Sequence, residues 1–188
     1  MPDVPINIWT EETPNPNTKK FSINEILMKD GTAEFNDKEK AENSPLAKKL
    51  FENDFVTSVF LGYNFLTVSK KEDATWEKVE KDLTEQIKNF IISGERVVKK
   101  DEKEKETVAS GDDSEVVKKI KDYLAKEIRP ALAMDGGDVT FKGYKDGVVS
   151  LALQGACRGC PGAAMTLKMG IEVRLKANIP EVKEVVPV

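Results

Sequence analysis

Eight consecutive residues near the middle of the chain, Lys99-Lys100-Asp101-Glu102-Lys103-Glu104-Lys105-Glu106, are all charged. Such a run cannot bury a face, so no single core can pass through it. It divides the 188 residues into two stretches, each of which has to build its own core. The expected layout is a first domain over residues 1–95, a flexible or semi-rigid charged linker over 96–113, and a second domain over 114–188. Charge changes across the linker: residues 1–95 carry 12 basic and 18 acidic side chains (net −6), and residues 115–188 carry 12 and 9 (net +3). Two independent domains are the plain reading of that asymmetry. The overall charge of −4 argues against general nucleic-acid binding. No apolar run reaches the roughly 18 residues a membrane helix needs. The N-terminus, Met1-Pro2-Asp3-Val4-Pro5-Ile6, has neither the basic and apolar regions of a secretory signal nor the Arg- and Ser-rich character of a transit peptide. The expected compartment is the cytoplasm, or the mitochondrial matrix if a presequence has been removed.

Local patterns predict an α/β chain of the mixed, α+β kind. In the first stretch, Ile6-Asn7-Ile8-Trp9 and Lys20-Phe21-Ser22-Ile23 read as strands about a turn, Glu12-Thr13-Pro14-Asn15-Pro16-Asn17. Ser44-Pro45 opens a helix carrying Leu46, Leu50 and Phe51. Residues 56–61 and 65–69 are strands about Gly62-Tyr63-Asn64, and 75–92 is a helix with Val79, Leu83 and Ile87 on one face and Gly94 at its end. The second stretch reads helix, hairpin, helix, strand. Val116, Ile120, Leu124 and Ile128 form a helical stripe, with Asp112 and Glu115 as a capping pair and Pro130 as a kink or stop. Residues 138–144 and 149–153 alternate about the Asp146-Gly147 turn. Residues 161–177 form a helix with Ala164, Leu167, Ile171 and Leu175 facing inward, and Val182 to Val186 a last strand. A domain of this size has a thin core that a metal or a partner chain would help.

The chain has two cysteines, three apart, and no histidine. The usual general base and the commonest metal ligand are therefore both missing. Cys157 and Cys160 lie in Leu153-Gln154-Gly155-Ala156-Cys157-Arg158-Gly159-Cys160-Pro161-Gly162, between an apolar strand and a helix. Pro161 suits the first helical position, which makes Cys160 the N-cap. Backbone N–H groups and the helix dipole then favour thiolate, Arg158 adds positive charge, and the glycines leave room for a bulky inorganic core. Iron–sulfur clusters and structural zinc usually take four protein ligands. One chain supplies two, so two chains about a two-fold axis would complete a site that suits a carrier. On the residues alone, a thiol–disulfide redox pair of the thioredoxin kind and a zinc-bridged structural dimer stay open beside a cluster.

Four motifs taken together resemble a known family. Met134-Asp135-Gly136-Gly137-Asp138-Val139, the cysteine segment, Thr166-Leu167-Lys168-Met169-Gly170-Ile171-Glu172 and Ile179-Pro180-Glu181-Val182 are similar to the NifU C-terminal domain of Nfu-type proteins. Thr13-Pro14-Asn15-Pro16-Asn17 with Lys20-Phe21, Ser44-Pro45-Leu46-Ala47, Val59-Phe60 and Phe65-Leu66-Thr67-Val68 resemble the Nfu N-terminal domain. The resemblance implies a [4Fe-4S] cluster held by Cys157 and Cys160 across a homodimer. It further implies a non-enzymatic scaffold or carrier that receives clusters from an upstream assembly scaffold and delivers them to apo iron–sulfur client proteins. One departure is Gly162-Ala163, where the family commonly has two serines. Asp135 to Asp138 is expected to be a helix-to-strand turn rather than an acid/base pair. Met134, Met165, Met169, Trp9, Phe60 and Phe65 are expected in cores, and Lys118, Lys119, Lys121 and Lys126 on a solvated face.

Overall fold

The computed structural model describes residues 5–99, 114–158 and 161–188. The chain separates into two compact units near residue 101. The architecture is mixed α+β, with two sheets and a few helices.

The first unit is an antiparallel five-stranded sheet with helices. Its elements are β1 (Ile8–Glu12), β2 (Thr18–Ile23), β3 (Ala33–Phe35), a 3-10 turn (Lys40–Asn43), α1 (Pro45–Leu50), β4 (Val56–Leu61), β5 (Phe65–Lys70) and α2 (Trp76–Ile92). The strand order is β1-β2-β5-β4-β3. The Thr13-to-Asn17 turn closes on its own side chains: the Thr13 hydroxyl donates to the Thr18 carbonyl at 2.8 Å, and Asn15 Oδ1 accepts from the Asn17 amide at 3.0 Å. Such local bonds are why Thr and Asn mark turns. Ser44 caps α1 by accepting from the Ala47 amide at 3.1 Å, and its hydroxyl donates to the Val97 carbonyl at 2.7 Å. Val79, Leu83, Ile87 and Phe90 of α2 meet Phe21, Ile23, Leu66 and Val68 of the sheet in one core. Phe60 and Phe65 are buried as expected, whereas Trp9 is 53% exposed. β1 starts two residues later than its pattern predicts, and as an edge strand it presents Trp9 opposite Ser22 rather than into the core. Val97 and Val98, within the expected linker, pack partly against this core. Residues 100–113 of that linker lie outside the described residues, and with them Asp112 of the expected capping pair.

The second unit begins with a helical arm, α3 (Glu115–Tyr123), a π turn (Leu124–Ile128) and α4 (Arg129–Met134). Ser114 caps it, accepting from Val117 N–H at 3.4 Å. Pro130 neither stops nor visibly breaks the arm. It sits in the first turn of α4, where its missing N–H and its ring are accommodated by the π turn before it. The π turn also explains the strict four-residue spacing of Ile120, Leu124, Ile128 and Leu132, all buried. Each four-residue step in a plain α-helix drifts by roughly 40°. A π turn winds less per residue and takes that drift back.

β6 (Gly137–Lys145) and β7 (Val148–Gly155) form an antiparallel hairpin, and β8 (Glu184–Pro187) adds parallel to β7. Asp146 and Gly147, at φ +54° and +92°, make the two-residue hairpin turn. α5 (Pro161–Asn178) delivers Ile171 and Leu175 to a core shared with the helical arm, Val139, Leu151 and Val185.

Candidate functional site

Two corners meet at Cys157. The first is the passage from α4 to β6. The Gly136 amide bonds back to the Ala133 carbonyl at 3.1 Å, and Gly136 takes φ +79°, the left-handed conformation that ends a helix with least strain in glycine. The second is the passage from β7 toward α5. The Ala156 amide donates to the Gly136 carbonyl at 3.1 Å, which ties one corner to the other. The Arg158 amide closes a tight turn on the Gly155 carbonyl at 3.0 Å.

This stitching presses Cys157 against the backbone of Gly137. A Cβ at position 137 would overlap Cys157 Sγ and stand 2.8 Å from the Gln154 carbonyl. Glycine is therefore demanded here by close approach. Cys157 is 6% exposed and belongs to the core cluster of the second unit. Its thiol is pushed up to about 12, first by burial and then by the negative charges of Asp135 and Asp138. That corrects the expectation of a thiol lowered by a helix start. α5 begins only at Pro161, whereas the two carboxylates and the low-dielectric core lie close to the sulfur.

Asp138 is itself held tightly. Its Oδ1 accepts from Arg129 Nε at 2.9 Å and from the Val139 amide at 2.8 Å, and its Oδ2 accepts from Arg129 Nη2 at 2.7 Å. The bidentate geometry joins α4 to β6 and fixes the corner under the cysteine. Asp135-Gly136-Gly137-Asp138 is thus a helix-to-strand turn, as expected. Nothing in the spacing of the sequence marks the Arg129–Asp138 clamp or the Gly137–Cys157 contact, which depend on the fold.

Cys160, the other sequence-predicted ligand, lies outside the described residues. Among the described residues no group of three or more His, Cys, Asp or Glu side chains could hold a metal ion. Among the described residues, the soft donor at this corner is the Cys157 sulfur. The methionines expected in the core are exposed: Met134, Met165 and Met169 all point away from it. Lys118, Lys119 and Lys126 are exposed as expected, while Lys121 is half-buried with its ammonium 5.6 Å from the Phe141 ring centroid. No described helix is long and apolar enough to cross a membrane.

Comparison with known proteins places both units. Residues 8–94 match the family model described as "Scaffold protein Nfu/NifU N terminal", and residues 120–186 match the "NifU-like domain". The human "NFU1 iron-sulfur cluster scaffold homolog, mitochondrial" is 42% identical over 179 residues, covering 95% of this chain and 70% of that protein. The protein of the same name from Drosophila ananassae is 40% identical over 179 residues, and the chain spans 63% of its length. "NifU-like protein 5, mitochondrial" of Arabidopsis thaliana is 41% identical over 182 residues, and the chain spans 66% of it. Among solved structures, the NMR structure of a NifU-like protein from Saccharomyces cerevisiae aligns at 27% identity and a TM-score of 0.49, covering 54% of this chain and 92% of that one.

Proposed function

This chain belongs to the Nfu/NifU scaffold family, and from that premise we propose that it carries an iron–sulfur cluster, a [4Fe-4S] cluster, between two copies of itself and hands it to apo-proteins. The single observation that carries this reading is the thiol count. The chain has two cysteines, three apart, and no histidine, and a cluster of this kind takes four protein ligands. Cys157 and Cys160 of one copy, with the same pair of a second, supply four. The cluster is cargo, and no residue is assigned a catalytic role. The relatives named mitochondrial fit a compartment in which clusters are assembled, the mitochondrial matrix or its bacterial counterpart, the cytoplasm.

The environment of Cys157 supports a carrier rather than a permanent holder. Each thiol must lose a proton as its sulfur bonds iron, and each regains one when a client's thiolates displace it. A thiol held protonated by burial and by Asp135 and Asp138 makes the empty state a stable alternative to the loaded one. Arg129 holds Asp138, and with it the corner beside Cys157, in position. The same environment disfavours a thiol–disulfide oxidoreductase, whose attacking cysteine needs a lowered pKa and access to solvent.

The test is anaerobic reconstitution with iron and sulfide. The expected product absorbs broadly in the visible, sizes as a dimer and contains about four irons and four sulfides per two chains. Cys157→Ser and Cys160→Ser should each abolish it. A colourless monomer would sink the proposal, and zinc without iron in protein purified without oxygen would assign a zinc-bridged dimer instead.

A further inference from the structure

α5 has two apolar faces, and among the described residues one is covered and the other is not. Ile171 and Leu175 enter the core. On the opposite side, Met165, Met169 and Val173 recur at i, i+4 and i+8 and are 68%, 62% and 66% exposed. At roughly 100° per residue these three span less than a quarter of the helix circumference, turned away from the core. Gly170 borders the same face, exposed, with nothing within 4 Å of where a Cβ would be. Glycine inside a helix costs about 1 kcal/mol against alanine, and no neighbour in the second unit requires it here. The charges of α5 stand beside the stripe: Lys168 and Glu172 on one edge and Arg174 beyond the other. Lys176, at the far end of the face, pairs with Glu172 at 2.5 Å. A solvent-facing helix face normally carries its charges in the middle.

We propose that this stripe is where a second copy of the chain docks, α5 against α5 in parallel, when a cluster bridges the two. The proposal rests on the bridged-cluster reading above and adds the protein surface that the bridge requires. α5 begins one residue after Cys160, so any two-fold arrangement that gathers four thiols also gathers two α5 N-termini. Met165 lies about one turn into the helix, roughly 6 Å along its axis from the start. A two-fold contact sets residues near the axis against their own copies, so a charge there would meet its like. From Met165 to Val173 the stripe is free of charge, and Lys176 at its far end is neutralised by Glu172, which satisfies that condition, whereas a surface for a dissimilar protein has no need of it. Methionine side chains adapt to an imperfectly matched surface, and Gly170 lets the backbones come close. The area is small. Three side chains amount to a few hundred Å² a side, against about 800 Å² per partner in a stable interface. The contact alone therefore does not hold a dimer, and the pair opens once the cluster leaves.

Full-length Met169→Glu and Met169→Lys, both at an exposed position, should fold as the wild type does by circular dichroism. Reconstituted separately, each should hold at least tenfold less cluster as a dimer than the wild type under the same conditions. Mixed one to one, the two variants should recover loading, because opposite charges then face each other across the axis. A loaded dimer unchanged in either variant overturns the proposal. So does a normal loaded dimer that fails only in transfer to an apo-protein, since the stripe would then belong to the client. A wild-type protein that loads as a monomer removes the bridged-cluster reading itself, which is a different failure.

Discussion

Replacing Gly137 by alanine would set a methyl group against Cys157 Sγ and the Gln154 carbonyl. Both neighbours belong to packed structure, so the strain cannot be shed by a flexible chain end. Gly137→Ala should destabilise the second unit by about 1–3 kcal/mol, the usual range for overpacking. It should also raise the rate at which Cys157 is alkylated in a Cys160→Ser apo background. Denaturant unfolding and a thiol-labelling time course check the two effects, and a variant with unchanged labelling would contradict the close packing. At this scale the sequence was only half legible. The cysteine spacing, the missing histidine and the turn at Asp135 to Asp138 could be read directly. The protonated state of Cys157 could not, because Asp135 and the buried side chains that set it are brought in by the fold from distant positions. The neighbouring helix start is what the linear sequence displays.

Between elements, the first unit is pinned by a buried lysine. Lys19 of β2 bonds Glu80 of α2 at 2.6 Å and Glu12 of β1 at 2.9 Å, with its ammonium 5.2 Å from the Trp76 ring centroid. Burial pulls the Lys19 pKa down, but Glu80 and Glu12 outweigh it and hold it above the ordinary lysine value. The Lys19 hydrogen bond holds Glu80 below the ordinary glutamate value. A depressed carboxylate stabilises the fold above its unfolded pKa and stops doing so as pH falls through its folded one. The stability difference between wild type and Glu80→Gln should therefore be present at pH 7 and shrink between about pH 5 and pH 3. Glu80 is partly exposed, so that difference is up to about 1 kcal/mol. Melting temperatures across the pH series check it, and a constant difference would refute the pairing. Elements with a repeating pattern were readable: α2 by its stripe, the β6–β7 hairpin by Asp146-Gly147, α1 by Ser44-Pro45. β3 was not, since three residues with one buried side chain carry no period. Nor was the π turn, because the spacing of four that accompanies it looks like an ordinary helix. The outer stripe of α5 was misjudged because apolar residues on both faces leave no contrast to say which is inside.

At the scale of the whole molecule, two cores that share no hydrophobic cluster among the described residues imply two folding units. Residues 114–188 expressed alone should keep a cooperative melt and the far-ultraviolet signature of mixed helix and strand. The full chain should unfold in two steps, one matching that fragment. Calorimetry of both checks it, and a fragment without a transition would make the division wrong. The charged run that splits the chain made this organisation the most legible feature of all.

The burial of Cys157 also bears on what happens to the protein without a cluster. Sulfur is attacked by peroxide as thiolate and where solvent reaches it. A sulfur held protonated inside the protein is a poor target on both counts. On the carrier function proposed above, the empty protein would keep this sulfur reduced between deliveries. The close fit against Gly137 sets the durability of the empty protein as well as its geometry.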